Sequence, residues 1–213
     1  MAVEAVLWDF GGVFTTSPFE AFNRYEAANG LPKDFIRSVN TGRPDTNAWA
    51  RFERAELDRQ GFDEAFLAES TALGHPVRGA EVLPLLAGEV RPRMVEALKT
   101  SKARFKVGCI TNNMAHGHGP SMAASPEGAA RTASILLLFD AVIESSKAGV
   151  RKPDPRIYLM MCELLGVKPE VCIYLDDLGV NCKPAAQLGM TAIKVRSEDQ
   201  ALAELSAATG LEL

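Results

Sequence analysis

The sequence predicts an α/β protein, a doubly wound parallel sheet with an all-helical block inserted after its first strand. Three observations carry this. Val3 to Trp8 is a short, nearly continuous apolar run that ends at an acid and two glycines, the pattern of a strand buried on both faces and closed by a tight turn. Residues 16–87 then carry their apolar positions at helical spacing. From residue 88 onward, short strand-like runs alternate with helical ones, as in a sheet of parallel strands joined by crossover helices. The expected organisation is an α/β core over 1–15 and 88–213, with a helical cap over 16–87.

Within the helical block, Ser17-Pro18 reads as an N-cap followed by proline at the first helical position. Phe19, Phe22 and Tyr25 recur at helical spacing until Gly30. Leu31-Pro32 opens a second helix, which Thr41-Gly42-Arg43-Pro44 breaks. Asp45 or Thr46 is expected to cap a third segment carrying Trp49 and Phe52, and Gly61 and Gly74-His75-Pro76 bound a fourth with Phe62, Phe66 and Leu67. The spacing of Phe19, Phe22, Trp49 and Phe52 favours packing between helices over a substrate platform.

In the second half, a helix runs from Arg91-Pro92 towards Lys102, and strands are expected at Phe105–Ile110, Ala141–Ile143, Val171–Leu175 and Thr191–Val195. Helices fill Pro155–Leu165, Gly179–Leu188 and Glu198–Ala208. Met114 to Glu127, rich in Gly, Pro and Ser, reads as a loop. Its His116 and His118, one residue apart among glycines, read more readily as solvated than as metal ligands.

Composition narrows the function. The formal net charge is −4 over 213 residues, and no run of Lys and Arg offers a polyanion a footing, so neither nucleic acid nor an acidic membrane is expected as a partner. Cys109, Cys162, Cys172 and Cys182 show no C-x-x-C spacing and read as reduced thiols in or near the core. The N-terminus lacks a basic region and breaks its apolar run with Glu4 and Asp9, unlike a signal peptide. No apolar stretch reaches the ~20 residues of a membrane helix, and a cytoplasmic protein is expected.

Ligands of an open parallel sheet bind beyond the carboxyl ends of its strands. The residues expected there are Asp9 and Gly11 after the first strand, Thr111 and Asn112 after the second, Lys152 after the third, and Asp176 with Asp177 after the fourth. Three carboxylates brought together repel one another unless a hard divalent cation neutralises them, and an oxygen-rich set suits Mg2+. One carboxylate can then act as a nucleophile towards a phosphoryl group, with Thr111, the Asn112 amide and Lys152 holding the phosphoryl oxygens. Taken singly, an Asp-Asp pair reads as a helix cap, Lys152 as a surface lysine and Thr111 as a cap. Asp9 is sharper, because an ionisable group at the end of a buried strand is costly without a partner.

Those four elements, in that order, resemble the four signature motifs of the haloacid dehalogenase superfamily, subclass I. GVRKPDPRIY and YLDDLGVNCKPAAQLGM further resemble segments of the N-terminal phosphatase domain of soluble epoxide hydrolases and its bacterial relatives. The resemblance implies Asp9 as nucleophile and metal ligand, the Gly11 carbonyl, Asp176 and Asp177 as further Mg2+ ligands, and Asn181 in the metal's outer shell. It implies Thr111 and Lys152 as catalytic phosphoryl contacts and a small phosphorylated metabolite as substrate. It brings no epoxide chemistry, which in those proteins belongs to a second domain.

One departure matters. Family phosphatases read Asp-x-Asp in the first motif, and the second Asp protonates the leaving group, whereas this chain has Gly11 there. Losing general acid–base catalysis costs about 10²–10⁴-fold, roughly 3–5 kcal/mol. A cap carboxylate such as Glu20 or Asp45 is a candidate replacement. Two alternatives stay open: a catalytically weak member that binds a phosphorylated ligand or a protein, and a haloacid dehalogenase, against which the paired Asp176-Asp177 argues.

Overall fold

The computed structural model describes residues 2–113 and 126–213. The chain begins with β1 (Ala5–Trp8) and then runs through six helices: α1 (Phe19–Ala28), α2 (Phe35–Thr41), α3 (Ala48–Glu53), α4 (Arg59–Ala72), α5 (Gly79–Val82) and α6 (Pro92–Lys102). It continues as β2 (Lys106–Thr111), α7 (Pro126–Leu136), β3 (Ala141–Glu144), α8 (Ser145–Ala148) and α9 (Pro155–Leu165). β4 (Cys172–Asp176), α10 (Gly179–Gln187), β5 (Thr191–Lys194) and α11 (Glu198–Thr209) complete it. The five strands form one parallel sheet in the order β3-β2-β1-β4-β5.

Period-two alternation divides the sheet's side chains between two cores. Val6 and Trp8 of β1 face α6 and α11, with Val107, Cys109, Ile173 and Leu175 beside them. Ala5 and Leu7 face the other way, onto Ile157, Tyr158 and Met161 of α9 and Ala185 of α10. β1 lies between β2 and β4, at the point where strand order reverses, and the crevice of a doubly wound sheet opens there.

The helices α1–α5 have an apolar core of their own, centred on Phe22, Ile36, Phe52, Phe62 and Phe66. The Phe62 ring stacks on Phe52 with centroids 4.6 Å apart and meets Phe66 at 5.5 Å. A Cβ at Gly79 would lie 2.8 Å from that ring, so the glycine lets α5 close over it. The two connections to the sheet run side by side. Thr16 donates its N–H to the Glu89 carbonyl at 2.9 Å, and the Thr15–Val90 pair forms an antiparallel bridge.

Several element starts depart from the sequence reading. Pro18, not Ser17, is the N-cap of α1, because its carbonyl accepts the first helical bond, from Phe22 at 2.9 Å. α2 begins at Phe35 rather than at Leu31-Pro32, where the buried Glu26 carboxylate takes the amides of Asp34 (2.8 Å) and Ile36 (2.9 Å). Asn47, not Asp45 or Thr46, caps α3. Its Oδ1 accepts from Ala50 N–H at 2.8 Å while its amide donates to the Asn40 and Gly42 carbonyls, which neither alternative could do. Asp58 caps α4 through Gly61 N–H at 2.7 Å, which places Gly61 inside the helix instead of at its boundary. α7 starts at Pro126, within the stretch whose composition reads as a loop; His116 and His118 lie outside the described residues. All four cysteines are buried and free.

Candidate active site

Strand register brings the catalytic candidates together. Trp8 pairs with Leu175, and Asp9 donates its N–H to the Leu175 carbonyl at 2.8 Å, so Asp9 lies level with Asp176 on the neighbouring strand. Asp177 follows, and a carboxylate oxygen from each of Asp9, Asp176 and Asp177 lies within 4.8 Å of the others. Gly12 makes the approach possible. Its φ is +72°, and a Cβ there would sit 2.3 Å from Asp177 Oδ2.

Lys152 enters this cluster from the loop before α9 and is 1% exposed. Its Nζ lies 2.7 Å from Asp9 Oδ1 and 2.8 Å from Asp176 Oδ2. Asn112 fixes the lysine's backbone from the end of β2, donating from Nδ2 to the Lys152 carbonyl at 3.0 Å and accepting from Lys152 N–H at 2.9 Å. An ammonium has three donors, so two are committed and one remains for an incoming group. Thr111, the last residue of β2, is 2% exposed, on the strand next to β1.

The three carboxylates differ in how far they are occupied. Asp176 is fully buried and accepts from Lys152, from Leu178 N–H at 2.8 Å, from Asn181 Nδ2 at 3.1 Å and from the Tyr174 hydroxyl. Asp9 Oδ1 accepts from Phe10 N–H at 2.7 Å as well as from Lys152, while Oδ2 has no hydrogen-bond partner among the described residues. Asp177 stands at the mouth of the cluster.

Electrostatics follow from this packing. Burial pushes the Asp9 carboxyl well above the ordinary carboxylate range, and the charges of Asp176 and Asp177 add to that against the opposing pull of Lys152. Burial and the Asp176 charge push Asp177 up to about 7. For Lys152, burial works to lower the pKa, but the Asp176 and Asp9 charges outweigh it and hold the ammonium protonated above its ordinary value. One cation against three carboxylates leaves an excess of two negative charges. Hard oxygen donors with that excess fit a divalent ion such as Mg2+, whose charge would reverse the upward pressure on Asp9 and Asp177.

Some groups around the site carry little local signal in the sequence. Tyr174 reads as one more apolar strand residue, yet it lies two residues before Asp176 and on the same face, which puts its hydroxyl on the carboxylate. Arg91 donates to the Gly12 carbonyl at 3.0 Å across 79 positions. Glu53 of α3 is buried and paired with Arg151 at 2.5 Å, and its carbonyl accepts from the buried Ser145 hydroxyl at 2.8 Å. Glu20 and Asp45 are exposed and make no hydrogen bond or ion pair to the cluster. Phe22 and Phe52 pack in the insertion's core, and Trp49 and Phe19 pack against it half-buried, Phe19 with the Arg37 guanidinium 3.7 Å above its ring.

Comparison with known proteins matches this chain to one family and several relatives. The family model of haloacid dehalogenase-like hydrolases matches residues 3–189. The chain is 32% identical to acyl-CoA dehydrogenase family member 10 of Mus musculus over 98% of its own length, and spans 19% of that protein. It is 30% identical to bifunctional epoxide hydrolase 2 of Sus scrofa over its whole length, and spans 40% of that protein. It is also 29% identical to phosphatase MT3486 of Mycobacterium tuberculosis, covering 94% of this chain and 90% of the other. A HAD-like hydrolase structure from Porphyromonas gingivalis shares the fold, with a TM-score of 0.67 at 18% identity and full coverage of both chains. Among the described residues, no helix is long and apolar enough to cross a membrane.

Proposed function

The chain belongs to the haloacid dehalogenase-like hydrolases, and from that premise we propose that it is a magnesium-dependent phosphatase acting on a small phosphorylated metabolite through Asp9. The observation that carries this reading is the convergence of Asp9, Asp176, Asp177 and the buried Lys152 at the carboxyl edge of the sheet. Asp9, the Gly11 carbonyl, Asp176 and Asp177 would hold the ion. When bound, Mg2+ offsets negative charge between the nucleophile and the phosphoryl oxygens. The 29% identical M. tuberculosis phosphatase, matched over nearly its whole length, supports the same class of reaction.

In this reading Asp9 Oδ2 attacks phosphorus, the bond from phosphorus to the leaving oxygen breaks, and an aspartyl-phosphate forms. Lys152 steadies Oδ1 and offers its third N–H to a phosphoryl oxygen, with Thr111 and the Asn112 amide supplying further donors. Water then attacks phosphorus, breaks its bond to Oδ2 and releases inorganic phosphate. Gly11 has no proton to give, so the leaving oxygen is protonated by water, and aryl and acyl phosphates are the favoured substrates. The helical block over 16–87 acts as the cap that selects among them.

The test is hydrolysis of p-nitrophenyl phosphate and acetyl phosphate with and without Mg2+, beside an Asp9→Asn control. Magnesium-dependent release that the control lacks supports the phosphatase. Release no greater than the control rejects it and leaves the reading as a binding protein.

A further inference from the structure

Beside the carboxylate cluster lies a cleft of about 330 Å³ that none of the steps above uses. Its walls come from the helical insertion on one side and from the β1, β4 and β5 ends of the sheet on the other. Arg37, Arg91, Lys194 and Arg196 line it, together with Phe19 and a single acid, Asp177. Four cations against one carboxylate leave three positive charges in excess, in a chain whose net charge is −4. These residues are scattered from position 37 to position 196, so folding alone assembles the concentration of charge.

The cations are poorly neutralised and partly held in place. Neither Arg91 nor Lys194 has a carboxylate within ion-pair distance among the described residues; Arg91 is steadied by the Gly12 carbonyl at 3.0 Å. Arg37 lies over the Phe19 ring, and its pair with Asp34, 3.1 Å long, has both side chains more than 40% exposed. Arg196 reaches Glu204 only at 3.4 Å. Exposed pairs of this kind are weak and leave most of the cation's charge available. The Lys194 stem packs over Gly179, where an added Cβ would lie 3.7 Å from it, at the start of the nine-residue helix α10. First-turn amides of a helix lack intrahelical acceptors, and the dipole there favours an anion.

We propose that this cleft binds a second anionic group of the substrate, a carboxylate or another phosphate, so that the enzyme acts on phosphate monoesters that carry a second acid. The proposal rests on the phosphatase reading above. Gly12 and Asp177 border both the cleft and the carboxylate cluster, so a small molecule with its phosphate at Asp9 can place its other acid here.

Three aryl phosphates differing only at the para position test it: 4-carbamoylphenyl, 4-carboxyphenyl and 4-phosphonooxyphenyl phosphate. With Mg2+ present, kcat/KM is expected to be about tenfold higher for an acidic probe than for the carbamoyl probe. That ratio should fall towards one in Lys194→Gln and in Arg37→Gln, and at high salt. The ranking of the two acidic probes distinguishes a carboxylate site from a phosphate site. Calorimetric titration of the Asp9→Asn protein with the same probes gives a readout free of turnover. Equal kcat/KM and equal affinity for all three probes overturn the proposal while leaving the phosphatase reading intact. Absence of any turnover rejects the phosphatase reading, and the titration then decides: charge-selective binding retains the anionic subsite, and unselective binding removes it.

Discussion

In the helical insertion, Phe62 is buried against Phe52, Phe66 and Trp49; at the sheet edge, Lys152 is equally buried, but against Asp9 and Asp176. Both regions are densely packed, yet they are stabilised in different ways. Apolar burial is non-directional, contributes about 25 cal/mol per Å² of apolar surface, and tolerates exchange of one ring for another of similar volume. Charges out of water are stabilised by opposite charges and by hydrogen-bond donors in fixed positions, and each removal leaves a neighbour uncompensated. Apolar positions inside the insertion's core are therefore expected to bear on stability alone, while positions in the carboxylate cluster bear on stability and charge together. The two are joined by polar contacts: the Glu53–Arg151 pair, the Ser145 hydroxyl on the Glu53 carbonyl, Arg151 Nη1 on the Pro44 carbonyl at 3.1 Å, and the paired connections at Thr16 and Glu89.

The largest expected effect is at the sheet edge. Asp9→Asn should lower magnesium-dependent phosphate release by more than about 10⁴-fold, roughly 5 kcal/mol in the barrier, measured as initial rates on acetyl phosphate. Lys152→Met should destabilise the fold by about 4 kcal/mol, because it leaves Asp9 and Asp176 facing each other without a cation. Chemical denaturation would show it, and an unchanged midpoint would mean that the lysine does not carry the charge balance.

Phe62→Ala, in the other region, is expected to cost about 3 kcal/mol through the cavity it leaves. Hydrogen exchange should find the loss confined to α2–α5, with β1, β2 and β4 still protected; loss of protection across the sheet would show that the two cores unfold as one. Smallest of the four, and opposite in sign, is Gly11→Asp. A Cβ there meets nothing within 4 Å, and the backbone lies outside the left-handed region, so the position admits a Cβ without strain. Restoring a proton donor should raise kcat on an alkyl phosphate such as glycerol 3-phosphate by about 10²-fold, about 2.7 kcal/mol. No gain would place the limiting step elsewhere than in leaving-group protonation.

Much of this was legible before folding. Apolar runs halted by acids or polar residues end the strands at Trp8, Ile110 and Leu175, and the structure carries the last two one residue further, to Thr111 and Asp176; α9 from Pro155 to Leu165 follows from Asp154, Pro155 and Gly166 at its borders. Of the helix starts that depart from the sequence reading, those of α1 and α4 are local shifts, whereas those of α2 and α3 involve partners outside the helix. Glu26 caps α2 from eight positions away, and Asn47 serves α3 and the end of α2 at once. No periodicity within one element encodes either contact.

The same division holds at the site. The sequence by itself determined that acids, a threonine and a lysine follow successive strands, because the order of strands and helices is written in local hydrophobic spacing. It also determined that Gly11 can supply no proton. Only the tertiary structure decided that Lys152 bridges Asp9 and Asp176, that Tyr174 and Asn181 occupy Asp176 while Asp9 Oδ2 stays free of protein donors, and that Arg37, Arg91, Lys194 and Arg196 share one cleft. Local sequence biases reach a few residues along the chain, whereas Coulomb interactions and hydrogen bonds depend on separation in space. Strand register and the docking of the insertion set those separations.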